Sequence, residues 1–443
     1  MQQEKAQNKL TKEQIDAVAL LSIGAFLEHF DRMLHIHMTI ILNALFFPET
    51  NPLVTNLLFA CSFCSSYLLT PIGSIFLGKI GDSFGRKSVT ILNTSITAIC
   101  CLIISVLPTY KQIGTSASII LITLRTIQGM ASFAEISGVE IYLAESIKPP
   151  KQYPIVALVP AFNRLGSTVA IGIAAFFSSE LMPKQLAKHG WRSAFLTGAL
   201  IGIVGVIART SLKEAQEFID KQKLFEKSLK VHNIALKSII PDVPIATSLA
   251  YFMLCCARPF WFYLIFLHSS AILRQNFGFT SSQIVSNNFL PSVFNFLMPI
   301  LIAYFSYKTA PLKIIKVRLL TGSACLAFFP FLIDAFPSPK TILFFQYLFL
   351  TVRFDYTPAA PIFFKYFPAL TRFRYVSFIN SMATLTTYVL TSFGLAFLTK
   401  HLSQGFSVLL IFAPFSICFT WALRYFEQKE EKHKKQILEK RGK

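Results

Sequence analysis

From Ser211 to Asp242 the chain reads SLKEAQEFIDKQKLFEKSLKVHNIALKSIIPD, a charged stretch in a sequence otherwise built of long apolar runs. About 20 mostly apolar residues suffice for a helix to span a bilayer. Six runs of that kind precede the stretch, at 17–46, 54–79, 88–108, 117–145, 153–180 and 192–210. Six more follow it, at 243–273, 284–306, 314–335, 341–366, 375–400 and 405–426. The expected fold class is an all-α membrane protein of twelve transmembrane helices in two six-helix halves. Residues 1–210 form the first half and 243–426 the second, with 211–242 a cytoplasmic central loop and 427–443 a basic cytoplasmic tail, expected to be a frayed helix.

Composition points the same way. Apolar residues make up 53% of the 443 and charged residues 14%, and mean hydropathy is +0.54. A soluble domain carries about 25% charged residues, so a soluble enzyme, a disordered chain and a disulfide scaffold are all disfavoured. The net charge of +20 is not read as nucleic-acid binding, which gathers Lys and Arg on one wetted face. Here the basic residues sit between apolar runs and set topology. With both termini cytoplasmic, thirty of the 42 Lys and Arg fall inside and seven outside. The eight cysteines all lie in apolar stretches without metal-site spacing and read as small buried residues. The polar N-terminus and the length of the first run argue against a cleaved signal peptide.

No nucleotide loop, nucleophile elbow or zincin helix occurs. The expectation is therefore no enzyme, no cofactor and no metal. Any uphill work must draw on an ion gradient.

Ionisable residues at bilayer depth are functional candidates by default. Glu28, Asp31, Arg32 and His35 share one face of the first span, and Arg125, Gln128, Ser132 and Glu135 form one polar stripe on the fourth. Glu140, Arg164, Arg258, Arg353 and Asp355 add to them. The seventh span carries Arg258-Pro259-Phe260-Trp261-Phe262-Tyr263, where aromatic faces could hold a quaternary ammonium and an Arg its carboxylate. The competing reading makes these charges structural ion pairs and the rings packing residues.

Between spans two and three lies Gly78-Lys79-Ile80-Gly81-Asp82-Ser83-Phe84-Gly85-Arg86-Lys87. It resembles the signature loop of major-facilitator transporters, with Ser83 where that family usually has Arg. Gly24, Glu28 and Asp31, then Phe46-Phe47-Pro48, Leu124-Arg125 with Gln128-Gly129, and Gly190-Trp191-Arg192 are similar to the metabolite:proton symporter branch, which includes proline/betaine transporters. Two departures stand out: Phe133-Ala134 replaces a paired glycine, and Ala303–Lys313 lacks the Asp and the Gly-Arg pair of a second signature loop.

The resemblance implies the major facilitator fold in a bacterial inner membrane, with spans one, four, seven and ten lining a central cavity. It implies proton-coupled uptake of a small polar solute, a proline- or betaine-like zwitterion, with 2-oxoglutarate or another carboxylate as the alternative. Expected partners are the solute, protons and the lipid bilayer, without nucleic acid, for a monomer. Glu28, Asp31 and Glu135 are the proton-coupling candidates. Arg125, Gln128, Arg258, Trp261, Tyr263 and Arg353 are the substrate-binding candidates, and Gly78, Asp82, Gly85, Arg86 and Lys87 the gating loop. A non-transporting sensor or a passive channel on the same fold are the competing classes.

Overall fold

The computed structural model describes residues 9–47, 67–84, 86–178, 184–210, 243–369 and 371–441. Among them, twelve helices exceed thirteen residues and no strand occurs. They are α1 (Lys12–Phe46), α2 (Thr70–Phe84), α3 (Arg86–Val106), α4 (Thr115–Ser146), α5 (Gln152–Ser178) and α6 (Lys184–Thr210) before the central segment. After it come α7 (Ile245–Phe262), α8 (Ser281–Lys308), α9 (Pro311–Ala335), α10 (Pro339–Val352), α11 (Arg372–Leu398) and α12 (Gln404–Arg441). Each coincides with one expected span. Among the described residues, seven helical stretches are long and apolar enough by themselves to cross a membrane. α1, α4 and α11, which carry many of the buried polar residues, are not among them. Residues 48–66 of the second expected span, and the central loop 211–242, lie outside the described residues.

Three local expectations are corrected. The tenth span is not one helix over 341–366. α10 ends at Val352, residues 353–355 are not helical, and a 3-10 turn at Thr357–Ala359 leads into a short helix at Ala360–Phe364. The cause is local: Pro358 disfavours helix at the residue before it, and Asp355 Oδ1 accepts from the Thr357 amide at 3.0 Å, an Asx turn that competes with the helix. The seventh span continues past α7, but through a π-helical turn, Tyr263–His268, before Ser269–Phe277. Pro259 lies just upstream and cannot donate a backbone hydrogen bond. The signature loop is almost wholly helical, with only residue 85 between α2 and α3. The tail is helical as expected, and it continues α12, which runs unbroken to Arg441.

Packing is uneven along the bundle. At the end carrying α1's start and α12's finish, one apolar core joins both sets of helices: Val139 and Ile141 of α4, Tyr251 and Leu254 of α7, and Phe373 and Val376 of α11. Toward the other end, Phe30, Leu34, Cys101, Leu121 and Phe195 form a core almost wholly within the first six helices. Outward-facing Leu320, Ile207 and Phe331 stay exposed, as a lipid-solvated surface requires. Helices approach closely where a glycine leaves room. A Cβ on Gly166 of α5 would collide with the Phe26 carbonyl of α1, and one on Gly73 of α2 with the Met130 carbonyl of α4.

Candidate functional site: a central cavity and a buried polar cluster

Between the two sets of helices lies a cavity of ≈ 960 Å³, its opening included. Its floor rests on the shared apolar core, and its wall alternates guanidinium, amide and ring. Arg32 comes from α1, Arg164 from α5, Arg258 from α7 and Arg353 from the break after α10. Asn163, Asn295 and Asn380 add amides, and Tyr67, Phe262 and Tyr388 add rings.

The four arginines are not equivalent. Arg32 forms an ion pair with Glu28 one turn before it. Arg258 pairs with Glu140 of α4 at 2.9 Å and also donates to Thr357 Oγ1 at 2.9 Å. Arg164 donates to Asn295 Oδ1 of α8 at 2.5 Å, and its Nε is buried without a partner. The Arg353 side chain has no hydrogen bond or ion pair among the described residues, and its Nε is buried as well. Asp355 is the carboxylate on which Arg318, Arg258, Arg353 and Arg164 all act. Cations therefore outnumber the acids around the cavity. Two guanidiniums keep donors aimed at nothing, and buried donors left so are costly unless a ligand uses them.

The second constellation is buried inside the first six helices. Gln128 Nε2 reaches both Asp31 oxygens, at 3.3 and 3.2 Å, while Gln128 Oε1 accepts from Arg125 Nη1 at 2.7 Å. Cys101 of α3 donates its thiol to Asp31 Oδ1. Arg125 stacks over the Phe195 ring, 4.9 Å from its centroid, a cation–π contact. Its Nε and Nη2 are buried without partners. One amide thus stands between an acid and a guanidinium.

Of the sequence candidates, Arg258 and Arg353 line the cavity, and Glu28 stands behind Arg32. Asp31, Arg125 and Gln128 are brought together, away from the cavity wall. Trp261 is 1% exposed and packs against Phe349, Phe354 and Phe412, so it is Phe262 that reaches the cavity. Tyr263 is half-buried against the Tyr67–Tyr388 pair. Gly85 lies outside the described residues, as do the surroundings of Glu135, Gly78, Asp82 and Arg86. Lys87 donates to the Thr210 carbonyl at 2.6 Å, tying α3 to the end of α6. Arg164, flagged as an ionisable residue in an apolar span but assigned no role, lines the cavity, and Asn163, Asn295 and Asn380, which also line it, were not among the candidates.

A family model described as Major Facilitator Superfamily matches residues 21–354. Among curated relatives, the chain is 27% identical over 284 residues to the citrate-proton symporter of Klebsiella pneumoniae, covering 64% of this chain and 62% of that one. It is 27% identical over 259 residues to the proline/betaine transporter of Salmonella typhimurium, covering 55% and 52%. The chain spans about half the length of the curated relatives it matches. Among solved structures, a major facilitator proton:xylose symporter, XylE, bound to 6-bromo-6-deoxy-D-glucose superposes with a TM-score of 0.71 at 13% identity, over 94% of this chain and 95% of that one.

Proposed function

The chain belongs to the Major Facilitator Superfamily, a family of multi-pass membrane transporters and not of enzymes, and from that premise we propose that it carries a small organic anion together with protons. The two six-helix halves, residues 1–210 and 243–426, would expose the central cavity alternately to the two sides of a bacterial inner membrane. Both termini would be cytoplasmic, as the Lys and Arg distribution suggests.

The observation that carries the anion is the surplus of guanidinium in the cavity. Arg164 and Arg353 come from opposite halves and form no ion pair among the described residues, with Asp355 acting on both from beyond ion-pair distance. Guanidinium matches carboxylate geometry with paired N–H donors. A solute held by both would bind the two halves at once, which is what a carrier needs. The similarity to a citrate-proton symporter supports the same choice. The aromatic cage expected for a quaternary ammonium is weakened, because Trp261 turns into the core. A zwitterion such as proline or betaine is the second reading. The proline/betaine relative and the Phe262, Tyr67 and Tyr388 rings that line the same cavity as Arg353 favour it.

Proton coupling falls to Asp31 in this reading. It is a buried acid one amide away from Arg125, placed to exchange its proton as that contact forms and breaks. A proton moving inward gains about 2.3 kcal/mol per 100 mV plus its pH gradient. Reconstituted protein tests the proposal with labelled citrate, 2-oxoglutarate, proline and glycine betaine under an inward proton gradient. Accumulation of a carboxylate that a protonophore abolishes is expected. Accumulation of proline or betaine alone would favour the second reading, and binding without flux would indicate a sensor.

A further inference from the structure

Arg258 is engaged on two sides. Its side chain is 22% exposed and lines the cavity, yet Nη2 holds Glu140 Oε1 and Thr357 Oγ1, both at 2.9 Å. Glu140 belongs to α4, while Arg258 and Thr357 belong to the last six helices. The contact is thus a bolt between the halves, directly beneath the cavity. Glu140 itself is 1% exposed. Its other oxygen accepts from the Tyr356 hydroxyl at 3.4 Å, and Tyr251 donates to Tyr356 at 3.3 Å. Around them sit Val139, Tyr251, Cys255 and Phe373, the apolar core that closes this end of the bundle.

We propose that Arg258 is a two-way switch, shared between Glu140 and a carboxylate of the solute, so that arrival of the solute unlocks the seal. The inference rests on the reading of the cavity as an organic-anion site. Its physics is a competition for one guanidinium. When a solute carboxylate takes Arg258, Glu140 loses its ion-pair partner inside an apolar core. An unpaired buried charge is strongly unfavourable, and the Tyr356 hydroxyl alone does not replace the lost pair. Separation of α4 from α7 would admit water to Glu140 and relieve that cost. The solute therefore favours the unsealed arrangement over the sealed one, and that differential affinity is what a ligand-driven transition requires. A neutral solute could not compete for Arg258 and would leave the bolt in place.

Two native cysteines report on the seal. Cys255 and Cys256 on α7 are fully buried in it, and Cys101, buried in the separate core of the first six helices, serves as an internal reference. The full chain in nanodiscs would be treated with N-ethylmaleimide and the labelled sites mapped by mass spectrometry. Glu140→Gln should speed labelling of Cys255 or Cys256 by about fivefold or more, the lower end of ordinary coupling between sites, with Cys101 unchanged. Citrate or 2-oxoglutarate should produce the same acceleration in the wild type and none in Arg258→Gln. Unchanged labelling in Glu140→Gln overturns the inference. So does an anion that raises the melting temperature of the wild type without moving Cys255 or Cys256, which leaves the anion-site reading intact. If neither anion shifts the melting temperature, the reading itself fails and the inference with it. Should Glu140→Gln also expose Cys101, the wild-type response to the two anions decides, since it needs no substitution.

Discussion

Arg372, the first residue of α11, donates through Nη1 to Glu145 Oε1 in the last turn of α4, at 2.8 Å. Each charge sits at the wrong helix end for the macrodipole, a cation at an N-terminus and an anion at a C-terminus. The pairing across the halves offsets this, and Arg372 Nε also donates to the Phe367 carbonyl at 3.2 Å. Beside it, Gln14 of α1 donates to the Ser146 carbonyl at 2.6 Å, so the closed end of the bundle is fastened by polar contacts around its apolar core. Both side chains of the pair are mostly buried, at 13% and 4% exposure. Removing one partner of a buried pair costs about 3–5 kcal/mol. Glu145→Gln and Arg372→Gln should each lower thermal stability in detergent, and the double variant should lose much less than the sum. Strictly additive losses would show that the two residues do not act as a pair.

The contacts of α12 beyond Phe426 predict the opposite. Glu427 pairs with Lys316 and Glu430 with Lys365, but the lysine side chains are 56% and 37% exposed. Exposed pairs are screened and worth about 0–1 kcal/mol. Glu427→Ala and Glu430→Ala should therefore each shift the melting temperature only slightly. A loss comparable with that of Glu145→Gln would mean that the tail helix is part of the fold's core.

Much of the fold was legible because hydropathy is additive along a run, and twelve runs became twelve helices. The break in the tenth was not, because the short polar stretch 353–359 is averaged away within the long apolar run around it, while Pro358 and the Asp355 turn end the helix. Contacts within a turn could also be read directly. Glu28 with Arg32 and Arg125 with Gln128 sit four and three apart and do touch. Contacts between helices could not. Cys101 looked like filler, yet it comes from α3 to donate to Asp31. Arg164 finds its partner Asn295 only after α5 meets α8. In the 258–263 run, neighbouring residues differ by about 100° around the helix. A run apolar on all sides has no phase from which to choose Phe262 over Trp261.

Close helix approach gives a third prediction. Gly166 lets α5 rest on the Phe26 carbonyl of α1, and Gly73 lets α2 rest on Met130 of α4. In both cases the obstacle is backbone, which cannot rotate away as a side chain can. Gly166→Ala and Gly73→Ala should each destabilise by about 1–3 kcal/mol, the usual cost of overpacking. Gly198→Ala, whose Cβ would find its nearest neighbour 3.6 Å away, is the control and should be close to neutral in a thermal melt. Equal behaviour of the three would refute the packing argument.

The buried cluster in the first six helices makes the last prediction. Asp31 receives Gln128 and Cys101 and shares Gln128 with Arg125, all sealed from the cavity. Asp31→Asn keeps the shape and one acceptor oxygen for Gln128 and Cys101, turns the other oxygen into an amide donor, and removes the group that could release a proton. Gradient-driven accumulation should then fall by an order of magnitude or more, about the loss of 1.4 kcal/mol of driving free energy. Exchange of labelled for unlabelled solute across the membrane needs no net proton movement and should survive. Arg125→Lys keeps a charge but loses the planar fork that holds Gln128 and stacks on Phe195, so it should weaken both accumulation and exchange. Glu28→Gln is the contrast: it weakens the ion pair that holds Arg32 at the cavity wall and should change solute affinity more than coupling. Wild-type accumulation by Asp31→Asn would remove Asp31 from the proton path and leave Glu28 and Glu135 as the acids to test.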